Sequence, residues 1–567
     1  MQRRFAPFPL LQAACLLFTA ASAAQQPVAP TTGRSLPADR ATGAAAVDVD
    51  ATKRWLGTLA GPEFQGRGTG QPGYEKAANF VAEHFRSLGL QARGENDSYF
   101  QTVPWQMTSV LSEGTKLEFR RDGAVVHTVP MERLVGSATV ATDVRGSVVL
   151  LRPKLLPVEP PADGEQGRGR RRASVEVQGL EALDLAGKVV VVSMPPAGED
   201  NSAAAMARFA VIRELQGKKC AAVLFAGSDA VQGGLRGRGG MGRGGGGNRA
   251  AAGAARSPLD VAFGGEDFAF LLDAANVAAG ALADLPVRTD VALEARVQVA
   301  VAETQAPAMN VFAVLPGSDP KLADEYVVIG SHLDHLGKAG DVIRPGADDD
   351  GSGTTGVMAV AQMLAKNPQK PRRSVLFVCF SGEESGLVGS RWFADHCPIP
   401  LSSITAELQM DMIGRDEEEA RDGGRLVNVG ETAEQNRNSL HLVGTEKLAP
   451  ALHALCLARN EIAGFELEFD QESLFGRSDH FNFARHGVPI AFFFTGLHKD
   501  YHQPSDTPDK IHYEKLLRVA TYVYDLAFEL AVQDSRPEVD PVLWEKFGGK
   551  QGKDSKPAAP LSEPESR

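Results

Sequence analysis

Glu383 and Glu384 close an apolar run, Ser374-Val-Leu-Phe-Val-Cys-Phe-Ser-Gly-Glu-Glu384. A buried strand that delivers two adjacent acids to its carboxyl end packs poorly unless a cation waits there. Partners of suitable type recur in the same half of the chain. They are His332 and Asp334 in Ser-His-Leu-Asp-His, the triplet Asp348-Asp349-Asp350, Asp411 in Gln-Met-Asp-Met, and His502 in Tyr-His-Gln-Pro. Imidazole and carboxylate donors without thiolate suit zinc, with manganese or cobalt as alternatives. Two ions about 3.5–4 Å apart need a bridging ligand, which a carboxylate supplies best. The Asp triplet, directly before Gly351-Ser-Gly353 and a helix, is the natural source of that bridge. The donor set points to a hydrolase with two metal ions.

These residues need a frame that brings them together. Strands are expected at 310–315, 325–330, 374–380, 405–410 and 489–494, with helices at 354–366, in the 440s to 450s, and at 513–532. The last helix carries Leu516, Leu517, Ala520, Val523, Leu526, Ala527 and Leu530 along one face. Strands alternating with helices imply an α/β fold whose sheet is covered on both faces, three layers in the order α, β, α. In such open sheets ligands gather at the carboxyl ends of the strands. His332, Asp334, Glu383, Glu384 and Asp411 all follow strand-like runs and should converge there.

The chain has 567 residues, too many for one ordinary domain. A formal net charge of −12 argues against general binding to nucleic acid or an anionic membrane. Arg3 and Arg4 precede the apolar segment Pro9–Thr19 and the small-residue triplet Ala21-Ser22-Ala23, the layout of an export signal over 1–23. The expected location is therefore periplasmic or secreted, and no later run resembles a membrane span. Cys220, Cys379, Cys397 and Cys456 show no C-x-x-C spacing, which removes thiolate zinc sites. Cys379 is expected as a buried thiol, and a Cys397–Cys456 bond is left open.

Along the chain, 24–46 is expected to be a disordered lead-in and 47–129 the first part of a catalytic domain. The turn-rich Gly66-Arg-Gly-Thr-Gly-Gln-Pro-Gly73 leads into an amphipathic helix that Gly89 stops. Residues 130–287 read as a β-rich insert with the two Gly/Arg-rich segments 167–172 and 233–256, taken as surface loops rather than RNA-binding tracts. The second catalytic part covers 288–535, and 536–567 reads as a disordered tail.

Each motif has an ordinary reading. An Asp triplet before a helix can be a cap plus solvated charge, and for Asp348 and Asp350 the two readings stand side by side. His335 and Asp506 read as supporting residues. Ser478-Asp479-His480 lacks a Gly-x-Ser-x-Gly elbow and reads as structural or cleft-lining. The conjunction of five motifs outweighs the ordinary reading of each.

His-x-Asp, Asp-Asp-Gly-Ser-Gly, Gly-Glu-Glu, Gln-x-Asp-Met and Tyr-His in this order resemble the bacterial double-zinc aminopeptidase family. Glutamate carboxypeptidase II, glutaminyl cyclase and the transferrin receptor belong to the same superfamily. The resemblance covers the N-terminal helix region and nearly all of 288–532. It implies a mixed, mostly parallel central sheet of the zinc-exopeptidase kind, two zinc ions (Zn2+) per chain and peptide substrates. By the same resemblance His332 and Asp411 would hold one zinc, Glu384 and His502 the other, with Asp349 bridging. Glu383 would be the general base for a metal-activated water, Asp334 would orient the histidine ligand, and Tyr501 would hydrogen-bond the developing oxyanion. The insert resembles a protease-associated domain, through a Gly-Lys-Val-Val-Val strand followed by a helix and Ala-Ala-Val-Leu-Phe. The leading expectation is an exported zinc aminopeptidase. A carboxypeptidase would need an arginine cluster, and Arg391, Arg415 and Arg477 lie near the motifs without forming an evident one. A glutaminyl cyclase uses one zinc. A non-catalytic receptor ectodomain would have lost ligands that are all present here.

Overall fold

The computed structural model describes residues 35–548, apart from 139, 159–173, 194–200, 228–234, 237–238, 241–258, 279–280, 283–284, 340 and 423–424. The expected export signal and most of both Gly/Arg-rich segments lie outside the described residues. Among the described residues no helix is long and apolar enough to cross a membrane.

The frame of the site is an eight-stranded mixed sheet. Its spatial order is Phe100–Thr102, Met309–Leu315, Ser374–Phe380, Tyr326–His332, Ile404–Met410, Ile490–Phe494, Ser439–Val443 and Glu466–Glu468. The four strands Ser374–Phe380, Tyr326–His332, Ile404–Met410 and Ile490–Phe494 run parallel to one another. Three of these four are buried along their whole length, and Tyr326–His332 is buried apart from its first residue. That explains why they read as continuous apolar runs rather than alternating ones.

Aromatic contacts show both faces of the sheet covered. Phe377 meets Phe85 of the helix Pro72–Ser87, whereas Phe380 meets Phe393 of the helix Val388–Asp395 and Phe483. Alternation along a strand sends residues 377 and 380 to opposite faces, so the expected three-layer α/β arrangement is present. The helix Tyr513–Val532 has the bounds read from the sequence, and it packs on the helix Gly351–Lys366. The helix expected in the 440s to 450s is present as Thr445–Leu448 and Pro450–Ala463, and the strand Ser439–Val443 that precedes it was not expected. Ser-Leu-His-Leu-Val alternates with period 2, and pairing with Ile490–Phe494 decides the outcome.

Strand pairing crosses both bounds expected for the insert, 130 and 287. A second, ten-stranded sheet begins with Gln106–Arg121 and ends with Arg288–Gln305. These two long strands pair antiparallel from Gln106 opposite Gln305 to Arg120 opposite Glu294. Composition did not mark this stem, because its exposed polar residues alternate with apolar ones as in any half-buried strand.

Both ends expected to be disordered carry ordered segments. Within 24–46, Ala38–Ala44 is helical, and Arg40 meets Asp525 at 2.8 Å and Glu529 at 3.1 Å on the helix Tyr513–Val532. In the tail, Pro541–Gly548 is helical, and Trp544 Nε1 donates to the Ala484 carbonyl at 2.9 Å. Local composition favours disorder in both; the ion pairs of buried Arg40 and the Trp544 hydrogen bond tie these segments to the rest of the chain. The four cysteines of the described residues are free thiols, and Cys379 and Cys456 are buried.

Candidate metal centre

The parallel strands place their carboxyl ends at one edge of the sheet, and the polar residues follow from there. His332 is the last residue of its strand, and Asp411 comes directly after Met410. The Ser381-Gly382 turn delivers Glu383 and Glu384; Gly382 has φ +66, and a Cβ there would press on the Trp105 ring at 2.7 Å. Asp349 lies in the loop that enters the helix Gly351–Lys366. His502 follows the strand Ile490–Phe494 in a loop held by Arg344, whose Nε donates to the His502 carbonyl at 3.1 Å.

Asp349 stands in the middle. Its Oδ1 faces His332 Nε2 at 3.2 Å, and Asp411 Oδ1 faces the same nitrogen at 3.5 Å. Its Oδ2 faces His502 Nε2 at 3.1 Å, and Glu384 Oε2 faces that nitrogen at 3.3 Å. Ligand atoms on a tetrahedral zinc, bound at about 2.0–2.2 Å, are separated by about 3.3–3.5 Å. Asp349 Oδ2 and Glu384 Oε1 are buried and face imidazole nitrogens, His502 Nε2 at 3.1 Å and His335 Nδ1 at 2.8 Å. Buried carboxylate oxygens gathered with imidazoles in this way are groups that a cation would satisfy. The histidine and carboxylate cluster therefore fits zinc.

The other two aspartates of the triplet are already engaged. Asp350 caps the helix Gly351–Lys366, accepting from Gly353 N at 2.8 Å, His332 N at 3.1 Å and Met412 N at 3.1 Å. Asp348 accepts from Gly414 N at 2.7 Å and meets His498 Nε2 at 3.2 Å. Asp506 accepts the N–H groups of Asp348 and Asp349. The cap reading holds for Asp350, and Asp506 supports the loop.

Asp334 does not meet the histidine through its carboxylate. His332 Nδ1 donates to the Asp334 backbone carbonyl at 2.9 Å, while the nearer carboxylate oxygen lies 3.8 Å away. That carboxylate instead accepts the Glu383 N–H at 3.1 Å. His335 is more central than its neighbours in sequence suggested: Nδ1 lies 2.8 Å from Glu384 Oε1 and 3.6 Å from Asp349 Oδ2. Its place directly after His-x-Asp was the only signal.

Electrostatics follow from this crowding. Burial works against charge on Asp349, yet His335, His332 and His502 together hold its carboxyl well below the usual range. Burial, reinforced by Glu384, Asp479 and Asp411, pushes the Glu383 carboxyl up. Ser478, Asp479 and His480 are buried and do not form a hydrolase triad. Burial lifts Asp479 to about 8 and keeps His480 neutral, down to about 3, stacked on Phe492.

A cavity beside the cluster is walled by Met412, Leu474, Phe494 and Leu497. Tyr501 and Arg477 also line it. Tyr501 stacks on His502 with ring centroids 3.8 Å apart, and Arg477 Nη2 donates to its hydroxyl at 3.2 Å. Arg477 also pairs with Asp422 at 2.6 Å, while Arg415 is spent on Asp500 at 3.2 Å. No arginine cluster faces the cavity among the described residues.

Fold and site together define an α/β protein with a carboxylate and histidine cluster, of a kind that fits a metal, at the carboxyl edge of its sheet. The family model "Peptidase family M28" matches residues 310–527, the segment that carries the cluster. Leucine aminopeptidase 1 of Ajellomyces dermatitidis is 29% identical over 236 residues, 40% of this chain and 57% of that protein. Leucine aminopeptidase 1 of Uncinocarpus reesii is 30% identical over 234 residues, 39% and 54% of the two chains. The chain thus spans about half the length of these curated relatives. Among solved structures, the aminopeptidase from Aneurinibacillus sp. strain AM-1 is 19% identical with a TM-score of 0.52, covering 89% of this chain and 98% of that one. A zinc aminopeptidase from Bacillus subtilis is 16% identical with a TM-score of 0.51 over the same shares. At these identities the likeness shows the shared fold.

Proposed function

We propose that the protein is an exported aminopeptidase that removes N-terminal residues from peptides with two zinc ions. The observation that carries this reading is the two-sided Asp349 carboxylate, with one oxygen toward His332 and Asp411 and the other toward His502 and Glu384. On this reading His332, Asp411 and Asp349 would hold one ion, and Glu384, His502 and Asp349 would hold the other. Bound zinc would supply Lewis acidity at the scissile carbonyl and an attacking water that ionises near neutral pH.

The remaining chemistry belongs to side chains. Glu383 takes the proton of the attacking water and passes it to the leaving amine, and Asp334 fixes its backbone by accepting its N–H. Tyr501 donates its hydroxyl to the oxygen that gains charge, and Arg477 keeps that hydroxyl at the cavity. The walls formed by Met412, Leu474, Phe494 and Leu497 favour an apolar N-terminal side chain. The names of the leucine aminopeptidase relatives agree with that preference. The inserted sheet, read as a protease-associated domain, frames the cleft.

The test is hydrolysis of a panel of aminoacyl-p-nitroanilides beside N-blocked and C-terminal-reporter peptides, before and after chelation with zinc add-back. Cleavage of free-amine substrates alone, leucine and methionine foremost, lost on chelation and restored by zinc, is expected. Release of C-terminal residues from blocked peptides would replace this reading with a carboxypeptidase.

A further inference from the structure

The Gly66–Gly73 turn is the sequence motif that neither the sheet nor the ligand set accounts for. Gln65, Gly66 and Arg67 have φ of 48, 68 and 51 in succession, a left-handed run that side chains other than glycine rarely enter. A Cβ at Gly66 would collide with the Arg344 carbonyl. The turn directs the Arg67 side chain inward, where it is 0% exposed.

The hydrogen bonds of the Arg67 guanidinium go to backbone carbonyls: Nε to Leu333 at 2.9 Å, Nη1 to Leu59 and Pro345 at 2.8 Å each, and Nη2 to Gly346 at 2.7 Å. Leu333 lies between His332 and Asp334, and Pro345-Gly346 opens the loop that carries Asp349. One rigid fork of donors therefore joins two of the loops that carry the proposed ligands. The backbone of the turn adds further ties, since the Arg67 carbonyl accepts from His335 N at 3.3 Å and the Gly66 carbonyl from Gly337 N at 3.0 Å. Asp350, Asp349, Asp506 and Asp334 lie close enough for their charges to act on the guanidinium.

Two residues on, Thr69 reaches a third loop. Its hydroxyl accepts the Gly382 N–H at 3.0 Å and hydrogen-bonds the Asp334 carboxylate, which in turn accepts the Glu383 N–H at 3.1 Å. A buried guanidinium without a hydrogen-bonded carboxylate is costly, and a simpler fold would place an apolar side chain there. Its value lies in setting loop separation beneath an acid-rich site.

We propose that Arg67 and Thr69 are positioning residues for the metal centre: Arg67 locks the His332 and Asp349 loops together, and Thr69 aligns the Asp334–Glu383 pair. This inference rests on the two-zinc reading above.

The experiment measures zinc affinity by chelator competition, zinc content, thermal unfolding and steady-state kinetics in Arg67→Met, Thr69→Val and Thr69→Ser, with Arg373→Met as control. Arg373 is equally buried, but it lies at the other end of the strand Ser374–Phe380, bonded to Glu325 and to the Leu530 and Gln533 carbonyls. Arg67→Met is expected to weaken zinc binding about 10–100-fold, the range seen for groups that support metal ligands. Arg373→Met should lower the melting temperature with zinc affinity unchanged. Thr69→Val should retain two zinc ions and lose about tenfold in kcat or more, and Thr69→Ser should restore kcat. Wild-type zinc affinity in folded Arg67→Met, equal weakening in Arg373→Met, or wild-type kcat in Thr69→Val overturns the proposal. A wild-type protein that neither binds zinc nor cleaves peptides overturns the underlying reading instead.

Discussion

Asp349 Oδ2 lies 3.1 Å from His502 Nε2, while Oδ1 of the same carboxylate lies 3.2 Å from His332 Nε2. One side chain therefore serves both halves of the centre. Replacing it by Asn removes the negative charge that both halves share and turns the acceptor facing one half into an amide donor. Asp349→Asn is expected to weaken both zinc ions by more than about 100-fold, beyond the range for supporting residues, and zinc content after dialysis checks it. Retention of two ions would sink the bridging role.

Glu383 lines the cavity beside the cluster, and its backbone N–H donates to the Asp334 carboxylate at 3.1 Å. Glu383→Gln should keep zinc content and KM near wild type and lower kcat by about 10²–10⁴-fold, the usual worth of a general base. A kcat within twofold of wild type would assign the proton transfer elsewhere.

Tyr501 stacks on His502 and receives a hydrogen bond from Arg477. Removing its hydroxyl in Tyr501→Phe keeps the stack and deletes the donor. The expected loss is about 10²-fold or more in kcat with zinc retained. Equal kcat with a raised KM would make Tyr501 a binding residue only.

His441, on the strand Ser439–Val443, is completely buried between Glu417, whose Oε2 lies 3.0 Å from Nε2, and Asp470 and Glu468 at 3.3 and 3.5 Å from Nδ1. Burial opposes its charge, but Asp470, Glu417 and Glu468 outweigh burial and raise it to about 9. A raised histidine stabilises the folded state fully below its unfolded value of about 6.5, and that stability is lost as pH rises through about 9. The difference corresponds to an order of 3 kcal/mol. Denaturant unfolding at pH 6 and pH 9.5 should show this decline in the wild type and a flatter profile in His441→Gln. A parallel decline in both proteins would exclude His441 as its source.

The strands at 374–380 and 490–494 were legible because full burial on both faces writes an unbroken apolar run, and the helix 513–532 because its apolar residues recur with period 3.6. The helix Ala38–Ala44 and the stem strands Gln106–Arg121 and Arg288–Gln305 were not. Local composition favours disorder around the helix and is neutral in the strands, and their order comes from partners far along the chain, Asp525 for Arg40 and residues 294–305 for 106–120.

The same division runs through the centre. Residue types and their order along the sequence already determined a carboxylate and imidazole site at the ends of parallel strands, because strand ends and loop acids are local features. Only the tertiary structure decided which acids stay available to a cation. Asp350 loses its oxygens to amides of His332, Gly353 and Met412, whereas Asp349 and Glu384 turn theirs toward the imidazoles of His332, His335 and His502. It also brought His335 onto Glu384 and placed Arg67 beneath loops more than 260 residues away. Hydrogen-bond donors are shared out by proximity in space, and chain order does not record that allocation.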